Sequence, residues 1–253
     1  MKKKEFKEIW LAEEECAHIH GWDFSHINDR YTEETDLPWN YEQIVRSYLK
    51  NEHKLLDIDT GGGEFLLSLE HPFENTAATE GYPPNVKLCS ETLTPLGISF
   101  REMRHYDKMP FDDNRFDIII NRHGNYDVGE LYRTLKPNGI FITEQVGSLN
   151  DRALVELLLT DRPSPPFPKA TLEIQSQLFE KAGFKILRGE ETFRPIKFFD
   201  VGALVWFARI IEWEFSGFSV EKCFENLLRA QKILEENGSV DGTIHRYLIV
   251  AQK

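Results

Sequence analysis

From residue 54 onward, short apolar runs alternate with segments of helical spacing, the pattern of a parallel α/β sheet. Strands are predicted at 54–58, 76–79, 98–101, 116–120 and 139–145, with helices between them at about 64–69, 84–93, 128–135 and 151–158. Ahead of this core, residues 5–17 (EFKEIWLAEEECA) read as a polar helix carrying Trp10 and Leu11. An irregular aromatic stretch follows, and a second helix at 39–50 begins after the stop at Asp36-Leu37-Pro38. The proline-rich loop RPSPPFP (162–168) closes the first run. After it the pattern predicts a helix at 172–182, a strand at 184–188, an apolar helix at 201–211, an amphipathic helix at 220–236 and a closing strand, HRYLIVAQK.

Composition narrows the class. Of 253 residues, 41% are hydrophobic and 28% charged, an ordinary globular balance. The longest apolar stretch, 201–211, is interrupted by Arg209 and falls well short of the roughly 20 residues that cross a bilayer, so no membrane association is expected. The basic start MKKKEFKEIW has no apolar run behind it and does not read as a targeting peptide. A formal net charge of −12 repels phosphate backbones and disfavours nucleic acid as a partner. Cys16, Cys89 and Cys223 make neither a CxxC pair nor an even set, which points to a reducing, cytoplasmic setting.

The most informative segment is LLDIDTGGGEF, 55–65, an apolar strand running through three glycines into a helix. Such a turn lets the backbone approach a ligand and aims free N–H groups at it. Glu80 follows 17 residues after Gly63, just past the next strand in ATEGYPP, where a carboxylate can accept ribose hydroxyls. A dinucleotide fingerprint would need a third glycine where Leu66 stands, and a phosphate loop would need a GK[ST] ending that is absent. Acidic Glu64 beside the glycines also opposes a pyrophosphate. The turn suits a ligand with a ribose and an ammonium but no phosphate, and S-adenosylmethionine (SAM) has that chemistry.

The segment LLDIDTGGG resembles the first motif of class I SAM-dependent methyltransferases, hydrophobic-hydrophobic-D-x-G-x-G-x-G, with Asp57, Gly61 and Gly63 in register. Glu80, the stretch HYDKMPFDDNRFDIII and the turn LKPNGIFITEQ match later motifs in order. The chain is similar to the group that includes ubiquinone/menaquinone C-methyltransferases and many small-molecule enzymes. The resemblance implies a three-layer Rossmann-like sandwich with a seven-stranded, mostly parallel sheet whose last strand is antiparallel. It implies a flap at 1–50 and a methyltransferase domain at 51–253 carrying a helical insertion at about 195–240. It also implies a SAM site formed by Asp57, Asp59, Thr60, Gly61, Gly62, Gly63, Glu80, Gly81, His105, Tyr106 and Asn121. Two positions depart from the family: Asp59 replaces the first loop glycine, and His105 stands where the adenine-contacting aspartate falls.

Methyl transfer requires alignment of nucleophile, methyl and sulfur, and a base if the acceptor is a hydroxyl or an ammonium. In NRHGNYD (121–127), after the fourth core strand, His123 is the candidate base and Arg122 an ion-pair or substrate-carboxylate partner. Trp22, Phe24, Tyr31, Trp39 and Tyr41 suggest a flap over the cofactor, with Arg30 reaching its carboxylate, or else glue for the front helices. The aromatic segment 198–218 reads as a lid shaping a substrate pocket, with a homodimer contact as the other reading. His18, His20 and His26 lack a cysteine or carboxylate pattern around them, and no metal is expected. The expected acceptor is a small molecule; RNA or protein methylation, and a non-catalytic SAM-binding module, are the alternatives.

Overall fold

The computed structural model describes residues 3–18, 23–33, 36–106 and 108–253; His20 and Trp22 lie outside them. The chain divides into two units, each assembled from three segments. One comprises Pro38–Gly147, Lys169–Glu191 and Arg246–Lys253; the other comprises Met1–Leu37, Ser148–Pro168 and Thr192–His245.

Among the described residues eight strands form one sheet in the order β1-β7-β8-β6-β5-β2-β3-β4. They are β1 (Tyr31–Glu33), β2 (Leu55–Ile58), β3 (Thr76–Glu80), β4 (Ser99–Glu102), β5 (Phe116–Arg122), β6 (Leu135–Val146), β7 (Lys185–Phe198) and β8 (Val240–Gln252). β2 pairs in parallel with β3 and β5, β3 with β4, and β5 with β6; β8 runs antiparallel to β6. The mostly parallel α/β fold is therefore as expected, with one strand more than the seven anticipated. The addition is β1, a three-residue edge strand antiparallel to β7 through Tyr31↔Phe198, too short and polar to show an apolar alternation.

In the first-named unit, β2 is buried at all four positions, as expected of a central parallel strand. Helices α2 (Tyr41–Tyr48), α3 (Glu64–Ser68), α4 (Pro83–Thr92), α5 (Val128–Thr134) and α7 (Leu172–Lys181) belong to it. Asn40, Asp127 and Thr171 each accept a backbone N–H three residues on and so start α2, α5 and α7. Its core includes a run of rings in which Phe141 stacks on Phe179 at 5.5 Å and Phe179 meets Phe184 edge-on at 5.2 Å. Parallel pairing brings the carboxyl ends of β2, β3 and β5 to one edge, with Ile58 opposite Asn121 and Glu80 opposite Glu102.

The other unit is built around α8 (Val201–Ile210), buried on every side except at Arg209. A helix apolar all round belongs in a core, and α8 packs with α1 (Lys3–Glu15) and α9 (Val220–Asn237). Trp10, Phe198 and Phe215 pack around it with its own Trp206, and α6 (Arg152–Leu158) contributes Leu154, Val155 and Leu158. Phe24 and Tyr31 belong to this packing, Phe24 edge-on to Trp206 and Tyr31 stacked on Phe198. Arg30, expected to reach a ligand carboxylate, is instead held by Asp200 and Glu13, because two carboxylates lie within 2.8 Å of its guanidinium.

Candidate active site

β2 ends in Asp57-Ile58, and the chain then turns through three left-handed positions, Asp59 (φ 54), Gly61 (φ 64) and Gly63 (φ 88). Aspartate is among the few side chains that tolerate this region. Thr60 N–H donates to the Thr79 carbonyl at 3.0 Å and Gly63 N–H to the Thr60 carbonyl at 3.0 Å, so the turn is closed against β3. A Cβ on Gly61 would meet nothing within 4 Å, whereas one on Gly63 would strike the Leu93 side chain at 2.9 Å. The open face of the turn therefore lies over Gly61; Gly62 faces the Glu64 carboxylate instead.

Three carboxylates gather around this turn. Asp57 is buried and accepts the Thr60 hydroxyl at 2.6 Å. Burial pushes it up to about 7, helped by Asp59 and Glu80 and opposed by Thr60 and Arg122. Glu80 accepts three backbone N–H groups, from Gly61 at 2.9 Å and from Gly81 and Tyr82 at 2.8 Å each. Asp59 accepts the Tyr106 hydroxyl at 2.8 Å and the Asn125 N–H at 3.1 Å, both at Oδ2. Its other oxygen, Oδ1, is buried with no hydrogen-bond partner among the described residues. Burial, with Glu80 adding to it and Tyr106 opposing, raises Asp59 to about 6. His105 is exposed beside Tyr106; the tyrosine meets the site through its side-chain hydroxyl.

At the end of β5, Asn121 is fully buried. It donates to the Ile58 carbonyl at 2.9 Å and accepts from Gln145 at 2.6 Å and Thr143 at 3.3 Å, so its amide ties β2, β5 and β6 together. His123 follows in a left-handed conformation (φ 60), with its N–H donating to the Glu144 carbonyl at 2.9 Å. Its Nε2 lies 3.7 Å from Glu144 Oε1, and Trp39 Nε1 donates to Glu144 Oε2 at 2.7 Å. The surrounding protein, then Arg246 and Arg122, lower the His123 pKa and favour the neutral ring. The 41% of its side chain that meets solvent, and Glu144, act the other way; the two arginines secure the downward direction. Tyr41 donates to the Asn121 carbonyl at 3.1 Å and lies against Phe65. Trp39 and Tyr41 are thus buried in the packing behind β5 and β6.

The structure brings Asp57, Asp59, Thr60, the three glycines, Glu80, Gly81 and Tyr106 to one turn and sets Asn121 and His123 on the neighbouring strand end. Sequence reasoning missed Glu144 and Asn125, and it read Trp39 as part of a flap or of the front-helix packing, not as the partner of Glu144. The signal for Glu144 was its place in TEQ, at the carboxyl end of β6 opposite Arg122.

Residues 56–143 match the family described as "Methyltransferase domain". The chain carries a class I methyltransferase domain. The matched span contains every cofactor and catalytic residue expected from the sequence. The fold is shared with a Bacillus halodurans protein provisionally classed as a methyltransferase (18% identity, 85% of this chain and 98% of that one, TM-score 0.57). It is also shared with a SAM-dependent methyltransferase from Methanosarcina mazei (14% identity, 83% and 96%, TM-score 0.50) and with the cyclase SpnF (15% identity, 99% and 95%, TM-score 0.52). No curated protein matches the chain. At these identities the structures speak for the fold alone.

The domain is that of a SAM-dependent enzyme, and the residues present fit that cofactor. SAM carries a sulfonium and an ammonium, and the turn offers three carboxylates, one with an unpaired buried oxygen, beside open space at Gly61. A pyrophosphate would meet only like charge there. No described helix is long and apolar enough to cross a membrane.

Proposed function

We propose that the methyltransferase domain transfers a methyl group to a hydroxyl or amine of a small molecule, with His123 as general base. The observation that carries this reading is the His123–Glu144–Trp39 arrangement at the same sheet edge as the acidic turn. When bound, SAM supplies a methyl group activated by its sulfonium. Glu80 and Asp59 would hold the ribose and the ammonium. Neutral His123 can take the proton that the acceptor loses, and Glu144 then stabilises the imidazolium; Trp39, donating to the far oxygen of Glu144, fixes that carboxylate in place. The acidic chain disfavours an RNA acceptor.

The test is incubation with methyl-labelled SAM and, in separate arms, a panel of small hydroxy and amino compounds, total RNA, and a protein extract. Label in the small-molecule arm supports the reading; label only in RNA or protein overturns it. With an acceptor in hand, His123→Ala is expected to lower kcat by about 100-fold or more while leaving the SAM Kd unchanged. Unchanged turnover removes His123 from the role.

A further inference from the structure

The unit built around α8 holds a second group of reactive side chains that methyl transfer does not use. Glu13, in the last turn of α1, and Cys16, just past its end, lie three residues apart and project from one side. His26, in the short 3-10 turn Ser25–Ile27, meets both of them. Its Nε2 is 2.8 Å from Glu13 Oε2 and 3.6 Å from Cys16 Sγ, and the sulfur is 3.9 Å from the same carboxylate oxygen. A tetrahedral ion with bonds of about 2.0–2.3 Å sets its ligand atoms about 3.3–3.8 Å apart. Two edges of the observed triangle lie near that range and the third is shorter, so small side-chain shifts would seat an ion at its centre.

The surroundings orient the three ligands. Glu13 Oε1 accepts from Arg30 at 2.7 Å, which leaves Oε2 turned toward the sulfur and the imidazole. The Arg30 charge is matched by Asp200, which accepts from Nε and Nη2 at 2.8 Å each, so the guanidinium opposes a nearby cation less than its sign suggests. His26 is stacked on Trp206 at 5.3 Å and 26°, which fixes the plane of the ring. Such outer partners are the usual means of presetting metal ligands. The sequence shows no ligand spacing that links His26 to Glu13 and Cys16; the fold brings the three together.

We propose that Glu13, Cys16 and His26 bind a divalent zinc-type ion, with water in the fourth position. Binding converts the Cys16 thiol to a thiolate and releases its proton to the buffer. The ion would join the end of α1 to the turn that rests on Trp206 of α8. The test uses the full chain, stripped with a chelator and titrated with Co²⁺, then with Zn²⁺ as competitor. The expected result is one Co²⁺ per chain, a near-ultraviolet thiolate-to-cobalt charge-transfer band, visible bands of a four-coordinate ion, and loss of all of these on adding Zn²⁺. Cys16→Ser should abolish the charge-transfer band, and His26→Gln should weaken binding at least about tenfold, both with an unchanged circular dichroism spectrum. Absence of the band in the unaltered chain overturns the proposal and leaves a surface His–Glu hydrogen bond beside a thiol. Persistence of the band in Cys16→Ser overturns it as well, because another cysteine would then be the ligand.

Discussion

Replacing Glu80 by glutamine separates the two roles its carboxylate holds. In the free protein it caps a turn, accepting from Gly61, Gly81 and Tyr82; in the loaded enzyme it would also accept from the ribose. A glutamine oxygen can keep the Gly81 and Tyr82 hydrogen bonds, but its NH2 then faces the Gly61 N–H, donor against donor. One charge-assisted hydrogen bond, worth about 1.5–3 kcal/mol, is lost, and the half-exposed turn recovers part of it by relaxing and rehydrating. A net destabilisation of about 1–2 kcal/mol corresponds, for a chain of this size, to a Tm lower by about 2–8 °C. On the ligand side, loss of one charged acceptor for a ribose hydroxyl, again about 1.5–3 kcal/mol, weakens Kd by about 10–150-fold. Calorimetric titration with SAM and with S-adenosylhomocysteine, alongside thermal melts, reads both effects. The two nucleosides share the ribose, so their losses should be equal. Unchanged affinity for both would reduce Glu80 to a turn cap, and a loss confined to SAM would mean that it acts on the sulfonium charge. Glu80→Ala is the poorer test because it leaves three N–H groups without their acceptor at once.

Gly61→Ala and Gly63→Ala both place a side chain in left-handed backbone, at about 1–2 kcal/mol each. The first adds a methyl to open space and should weaken SAM binding with a Tm lower by about 2–8 °C, whereas the second also strikes Leu93 and should lower Tm further; melts and titrations read the difference. Asp57 and Asp59 are raised to about 7 and about 6, so the folded state binds protons more tightly than the unfolded one. The free protein should therefore lose stability as pH rises from about 4 to 7. A cationic ligand favours the ionised pair, so SAM affinity should rise over the upper part of that window with proton release, visible in calorimetry across buffers of different ionisation enthalpy, and Asp59→Asn should flatten the trend. Leu204→Ala, at a fully buried position of α8, should destabilise the chain by about 2–5 kcal/mol in denaturant unfolding, and a value near zero would contradict the central place of that helix.

The parallel core was legible because β2, β5 and β6 contain short apolar runs bounded by turn residues, and the glycine turn because no other residue type occupies left-handed backbone so readily. What escaped the sequence was long-range or polar. β7 continues to Phe198 through EETFRPIKF, where exposed and half-buried positions alternate as far as Arg194 and only Ile196 and Phe198 are buried; with charges on both faces and Pro195 within it, the segment lacks the apolar signature that marked residues 184–188. Glu144 lies in a strand that was anticipated, but only the register Arg122↔Glu144 sets it beside His123. Asp59 and Tyr106 are 47 residues apart, and the hydroxyl-to-carboxylate bond between them exists only once β2 and the segment after β4 are neighbours. The helical unit is drawn from three separated stretches of chain, and periodicity carries no information about which stretches assemble.

Asp59 serves both the turn and the segments packed on it. The turn needs a left-handed residue at that position, a requirement glycine meets without strain and aspartate at a modest cost. In return the carboxylate anchors the Tyr106 segment and the loop after β5 through Asn125, which a glycine cannot do. It also adds a third negative charge to a turn that already holds Asp57 and Glu80, and the raised pKa values of Asp57 and Asp59 reflect burial reinforced by that crowding. Such a cluster is unfavourable by itself and favourable around a cation. On the proposed function, the departure from the family pattern would make the turn more selective for a positively charged nucleoside, with the unpaired Oδ1 as the atom that meets the cation.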